Sequence, residues 1–247
     1  MTTLTNGSMP RSGMILAAGL GLRMRPITET IPKPLIPVAG RTLLDRAIDH
    51  LEKAGVESVV VNAHYLAEKV EQHVRHRSSP RIVLSVEEDR LETGGGVAKA
   101  LPLLGDGPFF VVNGDALWIN GLRPTLDGLA SAWDDGEMDG VLLLHATVTA
   151  HGYDGMGDFI LASDGRLTRR PERTMAPYMF AGVQILHPRL FEDIPDRPFS
   201  LNLLFDRCMK QGRLFGVAHE GSWFHVGTPA DLDVADQLVP QHRRSAA

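Results

Sequence analysis

One cysteine, Cys208, stands in the 247 residues. That excludes an intrachain disulfide and a cysteine-based metal cage. Cys208 lies in LNLLFDRCMKQG, where apolar residues recur at helical spacing, and it reads as a small buried thiol. Long apolar runs are also missing. None approaches the roughly 18 residues that a membrane-spanning helix needs, so no membrane partner is expected. Residues 1–11, MTTLTNGSMPR, carry no apolar segment of signal-peptide type. They read as a disordered tail, and the expected compartment is the cytoplasm. A basic excess is absent too. With a formal charge of -5, no basic stripe is available to neutralise many phosphates, and no nucleic-acid partner is expected. No internal repeat, low-complexity segment or long linker interrupts the chain. The apolar fraction of 43% suits one globular domain over residues 12–247.

What is present concentrates in residues 16–40, LAAGLGLRMRPITETIPKPLIPVAG. Gly19 and Gly21 let the backbone bend tightly and bring amide N–H groups near a ligand. Arg23, Arg25 and Lys33 are cations that can gather on one anion. Four prolines stiffen the loop that carries them. Such a loop is either a polyphosphate site or a purely structural turn. It lacks the third glycine of the dinucleotide fingerprint, because Gly19-Leu20-Gly21 is followed by Leu22-Arg23-Met24. It also lacks the Gly-Lys-Ser/Thr of a P-loop.

Around this loop, strand and helix alternate. Residues 13–18, 56–62, 81–86, 109–113 and 139–147 are apolar runs that predict buried strands. Residues 42–54, 66–75, 93–104 and 122–134 read as the helices between them. Apolar strands joined by helices imply a mostly parallel sheet covered on both faces, with ligands at the carboxyl ends of its strands. From about residue 150 the pattern shifts. A hairpin turns at Asp164-Gly165, a strand spans 178–186, and Ser200 caps a helix. Short strands at 214–218 and 223–226 follow, and Thr228-Pro229 opens the last helix. The expected division is a first half, 12–148, and a second half, 149–247, that forms a small lid on the sheet.

The residue types favour nucleotidyl transfer. Arg23 and Arg25 offer forked donors to phosphate oxygens. Lys33 is a point charge suited to an α-phosphate under attack. Such chemistry rests on positioning, charge neutralisation and a divalent metal. Asp115, at the end of a buried strand, reads either as the metal anchor or as an Asx turn after Gly114.

The motif L-A-A-G-x-G-x-R-M-R-P-x-T, followed by P-K-P-L-x-P-V-A-G, resembles the signature of the sugar-1-phosphate nucleotidylyltransferases. Further segments resemble one branch, the N-acetylmuramate-1-phosphate uridylyltransferases of cell-wall sugar recycling. They are Glu92-Thr93-Gly94-Gly95-Gly96, Gly157-Asp158-Phe159, Phe180-Ala181-Gly182 and WFHVGTPADL. The resemblance implies a Rossmann-like α/β fold of the nucleotide-diphospho-sugar transferase type. It implies that a sugar 1-phosphate oxygen attacks the α-phosphorus of a nucleoside triphosphate, UTP being favoured. By position, Gly19, Gly21 and Arg23 would hold the triphosphate, and Leu16, Ala17 and Ala18 would lie under the nucleoside. Thr93 and Gly94 would approach the base. Arg23, Lys33 and Asp115 would carry catalysis, with Asp115 on Mg²⁺. Gly157, Asp158 and Asn202 would face the sugar.

Two departures stand out. The family's closing W-x-D-x-G-T places a second metal ligand where this chain has His225, a residue better suited to Mn²⁺ or Zn²⁺ than to Mg²⁺. Three arrangements follow: direct ligation, contact through water, or Mg²⁺ held without it, and the last two are favoured. The Glu-Lys pair that many larger relatives carry for the sugar phosphate is replaced by Arg169, Arg170 and Arg173. Glu87, Glu88 and Asp89 read as a solvated acidic loop. His145 and His187 read as core or strand-edge residues, and His64 faces the active edge. Two rival readings remain. One is a guanylyl- or thymidylyltransferase for a hexose or heptose phosphate. The other is a weakly catalytic nucleotide-sugar binding protein.

Overall fold

The computed structural model describes residues 9–241. In chain order the elements begin with β1 (Ser12–Leu16), β2 (Pro37–Val38), β3 (Arg41–Thr42) and α1 (Leu43–Lys53). They continue with β4 (Ser58–Ala63), α2 (Ala67–Val74), β5 (Arg81–Val86), α3 (Glu92–Leu104) and β6 (Phe109–Asn113). Then come β7 (Leu117–Ile119), α4 (Thr125–Ala132), β8 (Gly140–Ala146), β9 (Phe159–Leu161) and β10 (Leu167–Arg169). The chain closes with β11 (Tyr178–Leu186), α5 (Leu201–Lys210), β12 (Leu214–Ala218), β13 (Ser222–Phe224) and α6 (Pro229–Leu238).

Nine strands form the central sheet. Its spine runs β5-β4-β1-β6-β11-β8-β12. Only β11 runs against the others in this spine, so the sheet is mixed and mostly parallel, as expected. The β9–β10 hairpin joins β11 at Tyr178. Chain from beyond residue 149 therefore enters the middle of the sheet as β11 and its far edge as β12.

Both faces are covered because successive strand residues point to opposite sides. Ile15, Val59, Val61, Phe110 and Val112 pack with α1, α2 and α4. Met14, Val60, Phe109 and Val111 pack with α3 and α5 around Cys208, which is fully buried. Burial pushes the Cys208 thiol up to about 12, so it stays protonated and inert.

Helix starts follow the capping residues. Thr42 Oγ1 accepts from the Asp45 N–H at 3.0 Å, and Ser200 Oγ from the Asn202 N–H at 3.2 Å. Thr228 and Asp231 form a capping box with Pro229 in the first turn. Order begins earlier than the tail expected over 1–11. Pro10 is buried and Arg11 pairs with Glu57 at 2.5 Å, while residues 1–8 lie outside the described ones. No helix among the described residues is long and apolar enough to cross a membrane.

Candidate active site

Three neighbouring strands end level. Leu16 of β1 stands in register with Asn62 of β4 and with Asn113 of β6. The loop leaving β1 returns through three single 3₁₀ turns, which bury Met24, Thr28 and Pro34. Gly21 makes the first bend at φ 62°, a conformation that disfavours any residue with a Cβ. A Cβ there would also lie 2.9 Å from Thr28 Cγ2 and 3.2 Å from Lys33 Cβ. The Gly21 carbonyl accepts from Thr28 Oγ1 at 2.8 Å and from the Met24 N–H at 2.9 Å. The glycine thus seats the segment that carries Lys33.

Lys33 Nζ reaches across to Asp115, just past β6, and donates to its Oδ2 at 2.7 Å. The lysine side chain is 12% exposed and the aspartate 45%. This pair stands in the wall of a cleft of about 300 Å³. Residues 16–19, 33–34 and 113–115 line one side of it, with Asn62, Glu87, Arg90, Glu92 and Thr93 completing it. Leu16, Ala17, Ala18, Gly19, Lys33, Thr93 and Asp115, all singled out by the sequence, are therefore together. A cation, a carboxylate and small side chains along an open cleft can receive a phosphate chain and a flat ring.

Other expected residues sit elsewhere. Arg23 and Arg25 are exposed, have no side-chain partner among the described residues and do not line the cleft. Gly94 is buried, and its N–H donates to the Phe199 carbonyl at 2.8 Å. A Cβ on Gly94 would come within 2.3 Å of the Phe199 ring, so this glycine serves packing. Thr93 does line the cleft, and its Oγ1 accepts from the Leu201 N–H at 2.9 Å, tying α3 to the start of α5.

Gly157 and Asp158 brace β11. Asp158 Oδ2 accepts from the Phe180 N–H at 2.9 Å, and the Gly157 N–H donates to the Tyr153 hydroxyl at 3.1 Å. Asn202 is exposed and accepts from Arg169 Nη2 at 2.8 Å. Arg169 also pairs with Asp206 at 2.7 Å and lies 4.7 Å over the Phe159 ring. None of Gly157, Asp158 and Asn202 lines the cleft.

His225 lies between β13 and α6 and does not line the cleft either. Its Nε2 is 4.0 Å from Asp231 Oδ2, and a Cβ on Gly227 would meet it at 2.1 Å. Among the described residues, no three of His, Cys, Asp and Glu gather to hold a metal. Asp115 offers the cleft one carboxylate oxygen, Oδ1, that takes no hydrogen bond among those residues. One carboxylate fits Mg²⁺, which completes its shell with water and substrate phosphates.

The acidic run is corrected at one residue, while Glu88 and Asp89 are exposed as expected. Glu87 is 3% exposed, not solvated. Asn62, Asn113, Arg90 and Glu92 were not singled out as ligand residues, yet they line the cleft. The signal for the two asparagines is in VVVN and FFVVN: each apolar run gives way to a polar residue at the carboxyl edge.

Residues 12–241 match the family described as nucleotidyl transferase. An N-acetylmuramate alpha-1-phosphate uridylyltransferase of Caulobacter vibrioides is 47% identical over 89% of this chain and 93% of its own. One of Neisseria meningitidis serogroup B is 35% identical over 92% of this chain and 97% of its own. The solved structure of HddC from Yersinia pseudotuberculosis with GMP-PN superposes at a TM-score of 0.73 and 24% identity. It covers 92% of this chain and 98% of its own. With its level strand ends and the Lys33–Asp115 pair at their rim, the chain belongs to the nucleotidyl transferase family and is an enzyme of that class.

Proposed function

We propose that this enzyme transfers the uridylyl group of UTP to N-acetylmuramate 1-phosphate, in cell-wall sugar recycling in the cytoplasm. The observation that carries the sugar and the base is the likeness over nearly full length to two uridylyltransferases for that sugar phosphate. The products are UDP-N-acetylmuramic acid and pyrophosphate. A sugar phosphate oxygen forms a bond to the α-phosphorus, and the bond from that phosphorus to the bridging β-oxygen breaks.

In this reading the triphosphate lies along Gly19 and Gly21, with Arg23 on its outer oxygens. Lys33 turns from Asp115 toward the α-phosphate, where negative charge builds during attack. The stiff Pro32-Lys33-Pro34 setting keeps that charge in place. The nucleoside lies over Leu16, Ala17 and Ala18, where the two alanines leave room, and Thr93, with Gly94 packed behind it, closes on the base. The sugar phosphate comes from the side of Gly157, Asp158 and Asn202. Asp115 would hold Mg²⁺ together with water and phosphate oxygens, while His225 stands back from the ion. Bound there, Mg²⁺ would neutralise phosphate charge.

The test is pyrophosphate release with UTP, GTP, dTTP and CTP, each paired with the 1-phosphates of N-acetylmuramate, N-acetylglucosamine and mannose. UTP with N-acetylmuramate 1-phosphate is expected to give the highest kcat/KM. Faster turnover of GTP with mannose 1-phosphate would overturn the branch, and no turnover with any pair would favour a binding protein.

A further inference from the structure

A buried polar chain crosses beneath the cleft. It begins at the Ala17 N–H, which donates to Asn62 Oδ1 at 2.7 Å. Asn62 Nδ2 then donates to Glu87 Oε1 at 2.6 Å. The Leu91 N–H donates to Glu87 Oε2 at 3.2 Å. Asn62 and Glu87 are 2% and 3% exposed, and both line the cleft. A buried carboxylate is costly unless its oxygens are hydrogen-bonded. Here neutral donors do this on both oxygens.

The chain has two ends, and each belongs to a different wall. Ala17 opens the glycine loop that carries Lys33. Leu91 leads into the Glu92-Thr93-Gly94 turn at the start of α3. The backbone of Glu87 is fixed as well: its N–H donates to the Ala63 carbonyl at 2.8 Å, and its carbonyl meets His64 Nδ1 at 3.0 Å. Gly96 leaves the space. A Cβ on it would lie 2.9 Å from both Asn62 Nδ2 and Glu87 Oε1. So α3 is cut away where the polar chain passes.

We propose that Asn62 and Glu87 are positioning residues that set the gap between the two walls of the nucleotide cleft, and hence the affinity for the nucleoside triphosphate. This rests on reading the cleft as the triphosphate site. Asn62 fixes Ala17 under the nucleoside, and Glu87 holds Asn62 and the opposite wall at one distance. Loss of the link would weaken ground-state and transition-state binding alike, so KM for the triphosphate rises while kcat holds.

The donor order allows a swap test. In Glu87→Gln the amide can serve either Asn62 Nδ2 or the Leu91 N–H as acceptor, and the other contact becomes donor against donor. In Asn62→Asp two carboxylates face each other. In the double variant Asn62→Asp/Glu87→Gln every contact is restored, with the direction of the central one reversed. The amide nitrogen introduced at position 87 donates to the carboxylate introduced at position 62. The other oxygen of that carboxylate accepts from the Ala17 N–H, and the amide oxygen at position 87 accepts from the Leu91 N–H.

Each single variant is expected to raise KM for the triphosphate roughly tenfold, the order of one unpaired buried group. KM for the sugar phosphate and kcat should stay within about twofold. The double variant should recover most of the loss, because the two residues share one network, and a rise in triphosphate KM at constant kcat is what a merely structural lesion would not show. If a single variant is too unstable for kinetics, the comparison of the other single with the double, by calorimetric titration of UTP alone, carries the test. Additive effects in the double variant, or an unchanged triphosphate KM in the singles, would overturn the proposal and leave the cleft reading standing. A rise confined to the sugar phosphate KM would overturn both.

Discussion

His50 lies against the Trp118 ring, with centroids 4.2 Å apart and planes 20° from parallel. Burial first, then the Lys53 charge, pushes its pKa from 6.5 down to about 4. The unfolded chain, with its ordinary value, therefore takes up this proton first as pH falls. The stability tied to neutral His50 is present above about pH 6.5 and is lost between there and about pH 4. His50→Phe keeps a ring against Trp118 and removes the titration. Its melting temperature is expected to fall less between pH 6.5 and 4 than that of the parent. An equal fall would remove His50 from the acid sensitivity. Asp45 acts lower on the scale. Burial alone would raise its pKa, but His73, Thr42 and Arg41 hold it at about 2. Its contribution is present above 3.8 and is lost as pH falls through about 2. Neither residue was legible as unusual, because only the fold brings Trp118 onto His50 and His73 onto Asp45.

Among the elements, four strands, 81–86, 109–113, 178–186 and 214–218, coincide with their apolar runs. In β6 and β11 that apolar signal follows from burial on both faces. β7 went unread, as did the two-residue strands β2 and β3. Three residues are too few to show a period, and β7 forms because Trp118 pairs with Trp223 of β13, far along the chain. Glu87 went unread for a related reason. The neighbouring Glu88 and Asp89 suggest water, yet the alternation of β5 continues past its end. Ser85 is 6% exposed, Val86 51% and Glu87 3%. The glycines of α3 were legible as special, but their reason was not, because Phe199 is supplied by a distant segment. Gly94→Ala sets a methyl against both the Phe199 ring and its carbonyl, the latter at 2.9 Å. It is expected to cost about 1–3 kcal/mol of stability, as overpacking does. Chemical denaturation measures this, and a stability equal to the parent's would show that Phe199 can step aside.

Over the whole molecule, the parallel sheet places its ligand edge where the sequence pattern puts it. Leu16, Asn62 and Asn113 end level, and Lys33 closes on Asp115 above them. This half of the site was readable, because glycines, prolines and cations crowd into one short loop. The proposed sugar side was less readable. Asp158 and Asn202 are engaged with Phe180 and Arg169, contacts that no local pattern announces. His225 likewise stands against Asp231, outside the cleft lining. In the proposed reading the reaction rests on Lys33, held in the cleft wall. The most direct measurement is kcat for pyrophosphate release by Lys33→Ala with the best substrate pair, with folding checked by its thermal transition. A fall of roughly 10²-fold or more is expected for loss of one transition-state charge partner. A folded variant with an unchanged kcat would contradict the placement of the chemistry at Lys33 and Asp115.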